Sequence, residues 1–376
     1  MADVRQLRLC ALGLTRRPDG KTDSPAKVAR HLLALQGQDL TACLWAVGVR
    51  SHATLGQVEA GFNCGQLVRS WPLRGTLHVT AAEDFGWLRR LTAGPTVDAS
   101  RHRRWEQLGI SRAVAEKTSE LAADILRGGR ALRRDDLIAE MEARDFTVAA
   151  AWKYHLTRYL SQTGMVVYGP IKNGEQLLVL ASDWIAKPRL LEGEEALAEL
   201  AVRYVASHGP ATMEDLMWWC GLGQRAVSAG LAAAGKKVAS VTAEDGRTYW
   251  LSPELAAASP APSSAVWLLP AFDEHLLGYA DRTAVLPAAW ASQIYAVGNG
   301  VFKPTVVAGG VCVGTWKGLS RSTLKTLPAT RPVPVTVYFS DPAAARHCDR
   351  QALQAAADDY ARYWGRPSAE VVFGQR

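Results

Sequence analysis

Two glutamines flank a single glycine in the stretch LLALQGQDLTA, and a carboxylate follows them directly: Gln36, Gly37, Gln38 and Asp39. A carboxamide accepts hydrogen bonds through its oxygen and donates them through its NH2 group, so two glutamines held together can fix a water molecule. On an α-helix, residues i and i+2 point about 200° apart. We therefore expect the chain to leave helical geometry here, with Gly37 supplying the bend through a positive φ or a helix end. A solvated polar helix end has the same composition and stays an alternative.

The elements around this stretch predict a winged-helix unit over residues 1–110. Apolar residues recur at helical spacing in DVRQLRLCALGL, a second helix begins at Ser24-Pro25, and Leu55 to Phe62 can form a third. The stretch QLVRSWPLRGTLHVT then contains two short β runs around a turn signal at Pro72 to Gly75. Three helices followed by a β-hairpin are typical of a winged helix.

The same order recurs over residues 111–190 and again over 191–255, which indicates three tandem units. In the third unit, Thr212 and Asp215 predict a capping box at a helix start. A small, proline-rich linker, AAASPAPSSA, precedes a predicted β-rich C-terminal domain over 256–376, which ends in a helix. The predicted fold class is α+β, mainly helical, with three winged-helix units in a concave arrangement followed by this β-rich domain.

The positive charge of the chain is localised. The formal net charge is +7, and residues 1–112 hold 16 Lys and Arg against 9 Asp and Glu, whereas residues 113–376 hold 27 of each. This first third includes RHRRW, with Arg101, Arg103 and Arg104. A basic field beside aromatic residues is typical of phosphate contact. A solvated basic face is the alternative.

The sequence offers little support for a metal site or for a membrane segment. The six cysteines lack zinc-ligand spacing and are interpreted as buried thiols. The charged stretch FDEHLLGYADR, residues 272–282, is interpreted as internal ion pairs and packing, and Trp45, Trp71 and the pair Trp218-Trp219 as core. No secretion signal and no apolar run of about 18 residues is present, so we expect a cytoplasmic protein without metal or organic cofactor.

Five stretches together resemble the AlkZ-type winged-helix DNA glycosylases, a superfamily that also includes YcaQ-like enzymes: LQGQD, RSWPLRGTLHVT, HGPATMEDLMWWCGL, LLPAFDEHLLGYADR and VGTWKG. The resemblance extends over nearly the whole chain. It implies that the Q-x-Q pattern at Gln36 and Gln38 is the catalytic signature. The family usually has a small aliphatic residue between the two glutamines, so Gly37 departs from its pattern.

The resemblance implies a monofunctional DNA glycosylase, and the chemistry of its substrate explains how amides can suffice. An N7-alkylated guanine is cationic, so its glycosidic bond breaks without protonation of the leaving base, and the acid that most glycosidases need becomes dispensable. The amides then have to position water near C1′. Asp39 is expected either to add negative charge or accept a proton from water or, as we favour, to cap the following turn.

Three residues of the hairpin, Arg69, Arg74 and His78, are candidates for DNA contact together with the RHRRW arginines. Structural pairing is equally compatible with their positions, and His78 can instead support the glutamines as a buried histidine. The expected partner is double-stranded DNA with alkylated bases, bulky antibiotic adducts or crosslinks among them, and the expected state is a monomer. A winged-helix transcription regulator without catalysis is the alternative function.

Overall fold

The structure is a computed structural model that describes residues 3–15, 23–92, 103–244, 246–258, 260, 263–295 and 300–374. Helices predominate, and the strands form two five-stranded sheets and one two-stranded sheet. This confirms the predicted α+β, mainly helical class. None of the helices in the described ranges combines the length and apolar character needed to cross a bilayer.

Within the described residues, the first predicted unit has four helices before its hairpin instead of the predicted three, because α3 was not predicted. Its elements are α1 (Val4–Ala11), α2 (Pro25–Leu32), β1 (Leu35–Gln36), α3 (Leu40–Ser51), α4 (Leu55–Asn63), β2 (Leu67–Leu73), β3 (Thr76–Ala81), α5 (Ala82–Thr92) and α6, which includes residues 103–108. Ser24 caps α2 with Pro25 in its first turn, as the sequence predicts. The hairpin turns at Arg74-Gly75, where both residues have a positive φ.

The next two units each contain helices followed by an antiparallel hairpin. The second has α7 (Arg112–Leu126), α8 (Arg134–Glu142), α9 (Lys153–Gln162), β4 (Val166–Lys172), β5 (Glu175–Leu180) and α10 (Ala181–Trp184). The third has α11 (Gly193–His208), α12 (Met213–Cys220), α13 (Gln224–Ala234), β6 (Ala239–Thr242), β7 (Thr248–Leu251) and α14 (Pro253–Ala256). The capping box predicted at Thr212 and Asp215 begins α12.

The C-terminal part has a mixed five-stranded sheet flanked by helices. Its elements are β8 (Val266–Leu269), α15 (Glu274–Leu277), α16 (Ala288–Ile294), β9 (Thr305–Ala308), β10 (Val311–Lys317), α17 (Arg321–Thr326), β11 (Val333–Phe339), α18 (Pro342–Arg346), α19 (Arg350–Tyr363) and β12 (Ala369–Phe373). The strand order is β12-β11-β10-β9-β8, with β11 and β12 parallel. The predicted final helix corresponds to α19, but the expectation that this helix ends the domain is wrong, because β12 follows it.

The hairpins of the first two units join into a single sheet, in the order β1-β3-β2-β4-β5. Arg69 on β2 pairs with Tyr168 on β4, so the two units share a continuous hydrogen-bonded layer. The shortest strand, β1, forms one edge of this sheet. The unit boundaries at 110, 190 and 255 stay predictions.

One hydrophobic core links the first unit, the third unit and the C-terminal sheet, whereas the second unit has one cluster of its own and shares two others with the first unit. Several polar contacts cross this shared core. The guanidinium of Arg8 pairs with Asp215 at 3.6 Å, both fully buried, and the indole N–H of Trp45 donates to the carbonyl of Leu268 at 2.7 Å. The chain around β1 is therefore packed directly against the C-terminal part.

Candidate active site

The two glutamines lie at the exposed edge of the first sheet. β1 pairs antiparallel with β3, and Gln36 stands opposite His78. Gly37 continues the ladder, because its N–H donates to the carbonyl of Leu77 at 2.7 Å. The strand ends at Gln36, and the N–H of Gln38 donates to the side-chain oxygen of Gln36 at 2.7 Å. The two residues therefore lie together and can serve one site.

The chain leaves helical geometry before the glutamines, as expected, and bends at Gln38 and Asp39, but the positive φ expected at Gly37 is wrong. Gly37 has no positive φ; instead Leu33, directly after α2, has a φ of 64°. A Cβ at position 37 would lie 3.2 Å from the backbone carbons of His78, closer than ordinary van der Waals contact. The glycine is needed because β3 passes so close, and the segment is a strand edge rather than a helix end.

Backbone N–H groups orient both carboxamides. The side-chain oxygen of Gln36 accepts from the N–H of Gln38 at 2.7 Å, and the side-chain oxygen of Gln38 accepts from the N–H of Leu77 at 3.3 Å. Each amide oxygen keeps a second lone pair, and each NH2 group keeps its donors. Gln36 is half-buried and Gln38 is exposed, so these free positions can reach a substrate or a water molecule.

Asp39 caps α3, as favoured from the sequence. Its carboxylate accepts from the N–H of Ala42 at 2.8 Å, and such a cap contributes about 1 kcal/mol to helix stability. Because α3 begins directly after the glutamines, the cap also fixes where their segment ends.

A buried carboxylate lies behind the first glutamine. Glu274, 2% exposed, accepts hydrogen bonds from the backbone N–H of Gln36 at 3.1 Å and from the indole N–H of Trp219 at 3.0 Å. The ring nitrogen Nε2 of His208 lies 3.4 Å from its second oxygen. Burial alone would raise the pKa of Glu274. That pKa is nevertheless held below its usual value by the hydrogen bond and charge of His208, by the charge that His78 carries when protonated, and by the Trp219 hydrogen bond. Glu274 is therefore anionic at neutral pH.

The stretch FDEHLLGYADR has the ion-pair role that the sequence predicts, and a further one. Asp273 forms a bidentate pair with Arg50, both contacts at 2.8 Å and both residues buried. Asp281 pairs with Arg247 at 2.8 Å. Sequence reasoning missed the contact of Glu274 with the first glutamine, because 238 positions separate them and no local pattern connects them.

His78 is fully buried, which is at odds with direct DNA contact and agrees with the alternative that it supports the glutamines from behind. Its Nδ1 lies 3.0 Å from the carbonyl of Thr76, and Nε2 has no hydrogen-bond partner among the described residues. Burial, with the nearby charge of Arg74, lowers the pKa of His78 to about 4. The ring is therefore neutral at pH 7.

The other hairpin candidates differ in what they contact. Arg69 donates to the carbonyl of Gly37 at 2.7 Å and to the side chain of Gln176 at 2.6 Å. It therefore links the backbone of the Gln-Gly-Gln segment to the second unit. Arg74 donates to the carbonyl of Trp218 at 3.0 Å and places its guanidinium over the indole ring of that residue.

The arginines of RHRRW are only partly described. Arg103 and Arg104 lie exposed on α6, and Arg104 donates to the side chain of Gln107. Arg101 lies outside the described residues. DNA contact by these three arginines stays a prediction.

The tryptophans divide between core and surface. Trp45 and Trp71 are buried, as predicted, and so is Trp219. The prediction for Trp218 is wrong, because this side chain is 36% exposed. Adjacent residues on α12 point in different directions, so one indole reaches Glu274 and the next faces the surface.

Within the described ranges, no group of three His, Cys, Asp or Glu side chains lies together as a metal site would require. All six cysteines are free thiols. The prediction that they are buried holds for Cys43, Cys220, Cys312 and Cys348, whereas Cys10 is half-buried and Cys64 is exposed.

Comparisons with known proteins agree with this architecture. The family model described as DNA glycosylase AlkZ-like matches residues 29–363. An interstrand DNA cross-link repair glycosylase of Streptomyces sahachiroi is 27% identical over 290 residues, which are 72% of this chain and 75% of that protein. The solved structure of the Streptomyces sahachiroi DNA glycosylase AlkZ matches with a TM-score of 0.75 at 22% identity, covering 99% of this chain and 98% of the other.

Proposed function

Because the chain belongs to the AlkZ-like DNA glycosylase family, whose members hydrolyse N-glycosyl bonds, we propose that it excises cationic N7-alkylated guanine through water attack at C1′ of the damaged nucleotide. The observation that carries this proposal is the pair of oriented amides, Gln36 and Gln38, at an accessible sheet edge. Membership of an enzyme family also decides against the non-catalytic transcription regulator.

The charge of the lesion removes the need for a general acid. An alkyl group at N7 makes guanine a cation, and the base then leaves with the bonding electrons without receiving a proton. The remaining tasks are to position water and to tolerate an oxocarbenium-like sugar. Both suit a site whose exposed members are amides.

Each glutamine would bind water through the second lone pair of its oxygen, or donate to the sugar or a phosphate through its NH2 group. Because the first lone pair of each oxygen is used by a backbone N–H, the amides cannot rotate freely. Preorganised groups lose little conformational entropy when the substrate arrives.

Glu274 supports this site without touching the substrate. It holds the backbone of Gln36 and adds a fixed negative charge behind it, which favours a positively charged sugar in surroundings of low dielectric. Because the charge is buried, it avoids direct contact with the DNA phosphates.

Gln38 is exposed and Gln36 is half-buried, so the pair can be reached from solvent. A large adduct cannot enter the tight pocket that base flipping normally uses, so an open edge suits bulky antibiotic adducts or crosslinks. The similarity to an interstrand DNA cross-link repair glycosylase of Streptomyces sahachiroi supports crosslinks as a substrate and a role in repair, and antibiotic self-resistance is the other role that we propose.

The proposal is tested with two duplexes that differ only in the lesion, N7-methylguanine or the uncharged base hypoxanthine. Abasic sites are revealed by alkaline cleavage. We expect excision from the cationic duplex only, and Gln38→Asp is expected to extend activity towards the uncharged lesion. Gln66→Ala, a change at an exposed glutamine of the same unit, serves as the control. Absence of excision from the N7-methylguanine duplex, or equal rates on both lesions, contradicts the proposal.

A further inference from the structure

Two arginines from distant parts of the chain meet on one exposed indole. The guanidinium carbons of Arg74, on the first hairpin, and Arg282, in the C-terminal part, lie 4.7 and 4.8 Å from the ring centroid of Trp218. Arg282 also lies 5.3 Å from the ring centroid of Phe302 and 5.8 Å from that of Tyr295. Aromatic faces attract cations, so the indole holds both guanidinium groups in place.

Neither arginine has a carboxylate partner within the described ranges. Arg74 donates to a backbone carbonyl at 3.0 Å, and Arg282 donates to the carbonyls of Leu276 and Ala280 at 2.9 and 3.3 Å. The nearest acid in sequence, Asp281, is paired with a different arginine. Burial is the main cause that lowers the pKa of both guanidinium groups; for Arg74, the charge of Glu274 opposes this effect and the charge of Arg282 adds to it.

The buried arginines of the shared core, unlike Arg74 and Arg282, have carboxylate partners. Arg8 and Arg50 each pair with a buried aspartate, at 3.6 and 2.8 Å. Two partly buried cations that share one ring and have no carboxylate hydrogen-bonded to them in the described ranges are costly unless an anion completes them. Their charge is therefore available to a ligand.

The position of this pair relative to the glutamines indicates which ligand it takes. Arg74 lies on the turn that leads to Leu77, whose N–H holds Gln38. Trp219, directly after the exposed indole, donates to the carboxylate that holds Gln36. The charge of Arg74 also lowers the pKa of His78, which stands opposite Gln36, so Arg74 lies beside the candidate active site and Trp218 holds Arg282 next to Arg74.

We propose that Arg74 and Arg282, held on Trp218, bind a backbone phosphate of DNA close to the nucleotide that is excised. This inference rests on the proposed function for its substrate, DNA. Guanidinium groups match phosphate oxygens with two parallel N–H donors each. The ring already carries two cations, so this surface offers charge for a phosphate rather than a free aromatic face for a base.

The test uses duplexes in which a single charged phosphate is replaced by an uncharged methylphosphonate. A duplex with a stable abasic analogue, which the protein binds without turnover, is prepared as a series with one methylphosphonate at each position around the analogue. Fluorescence anisotropy at several salt concentrations measures affinity. For the wild type, we expect about a tenfold loss of affinity at one or two adjacent positions.

In Arg282→Gln, the same positions should become insensitive to methylphosphonate, and the slope of log K against log salt should fall by about one unit. Arg74→Gln should give the same pattern and replaces Arg282→Gln if that variant fails to fold. Arg112→Gln is the matched control, because Arg112 is exposed and paired with Glu116; it should keep the wild-type sensitivity.

Unchanged sensitivity at every position in the folded Arg282→Gln and Arg74→Gln variants overturns the inference. Such a result leaves the proposed function intact if the wild type still excises N7-methylguanine. Failure of the wild type to bind any duplex overturns both.

Discussion

Replacement of Glu274 by glutamine is the change that most clearly links the stability of the candidate site to its activity. The carboxylate accepts three hydrogen bonds, one on the oxygen that faces Gln36 and two on the oxygen that faces Trp219 and His208. An amide has only one oxygen, so its NH2 group must face donors on the other side. Glu274→Gln therefore removes the negative charge, and it turns the new NH2 group towards an N–H group that previously donated to the carboxylate.

The expected loss follows from these contacts. The mildest outcome keeps the two bonds to Trp219 and His208 and loses the bond to Gln36. Hydrogen bonds to charged groups are worth about 1.5–3 kcal/mol, and the buried mismatch adds to this, so we expect the free energy of unfolding to fall by about 2–4 kcal/mol. A typical domain has about 5–15 kcal/mol of stability, so the variant should still fold at 25 °C.

Two measurements on the same preparation test this expectation. Urea denaturation gives the change in stability, and single-turnover excision of N7-methylguanine gives the rate. We expect the rate to fall by at least about tenfold, because about 1.4 kcal/mol of lost positioning corresponds to that factor. Glu106→Gln, at an exposed carboxylate on α6, should change neither quantity.

A stability change below about 0.5 kcal/mol, the size expected of an ordinary surface substitution, together with an unchanged excision rate, would refute the reasoning. Loss of stability with a full excision rate would show that Glu274 serves the fold alone.

Three further outcomes are expected. Gly37→Ala places a Cβ 3.2 Å from the backbone of His78 and should lower the excision rate at a stability cost of about 1–3 kcal/mol; wild-type activity in a kinetic assay contradicts this. Asp273→Asn leaves the buried guanidinium of Arg50 without its full countercharge and should lower the unfolding free energy by about 3–5 kcal/mol, whereas a loss below about 1 kcal/mol contradicts a tightly buried pair. The pKa of His78 is depressed from 6.5 to about 4, so the folded state favours the neutral ring; its contribution is fully present above pH 6.5 and is lost, by up to about 3 kcal/mol, as the pH falls towards 4. The free energy of unfolding, measured by denaturation between pH 7 and pH 4.5, should depend less on pH in His78→Gln than in the wild type. An equal pH dependence in the two proteins contradicts the depressed pKa of His78.

Local signals in the sequence predicted local features correctly. The caps at Ser24, Asp39 and Thr212 are present because a short polar side chain before a helix satisfies its free N–H groups wherever the helix packs. The hairpin turn at Arg74-Gly75 follows from turn chemistry in the same way.

Features that depend on tertiary contacts were not predictable from local patterns. Gly37 was expected to bend a helix end, but its real constraint is the approach of β3, which lies some 40 positions further along the chain. Glu274 and Arg282 reach the site from the C-terminal part through contacts that no spacing rule encodes. The exposure of Trp218 is equally a product of packing, since a tryptophan pair on a helix reads as core from the sequence alone.

The central claim is that the oriented pair, Gln36 and Gln38, performs the hydrolysis. The most direct measurement is the single-turnover rate at which abasic sites form in an N7-methylguanine duplex, compared between the wild type and the Gln36→Ala, Gln38→Ala double variant. Circular dichroism and duplex binding verify that the variant is folded and still engages DNA. The account predicts excision by the wild type and a loss of at least about a hundredfold in the double variant, the range seen when positioned groups are removed. Equal rates in the two proteins would contradict it.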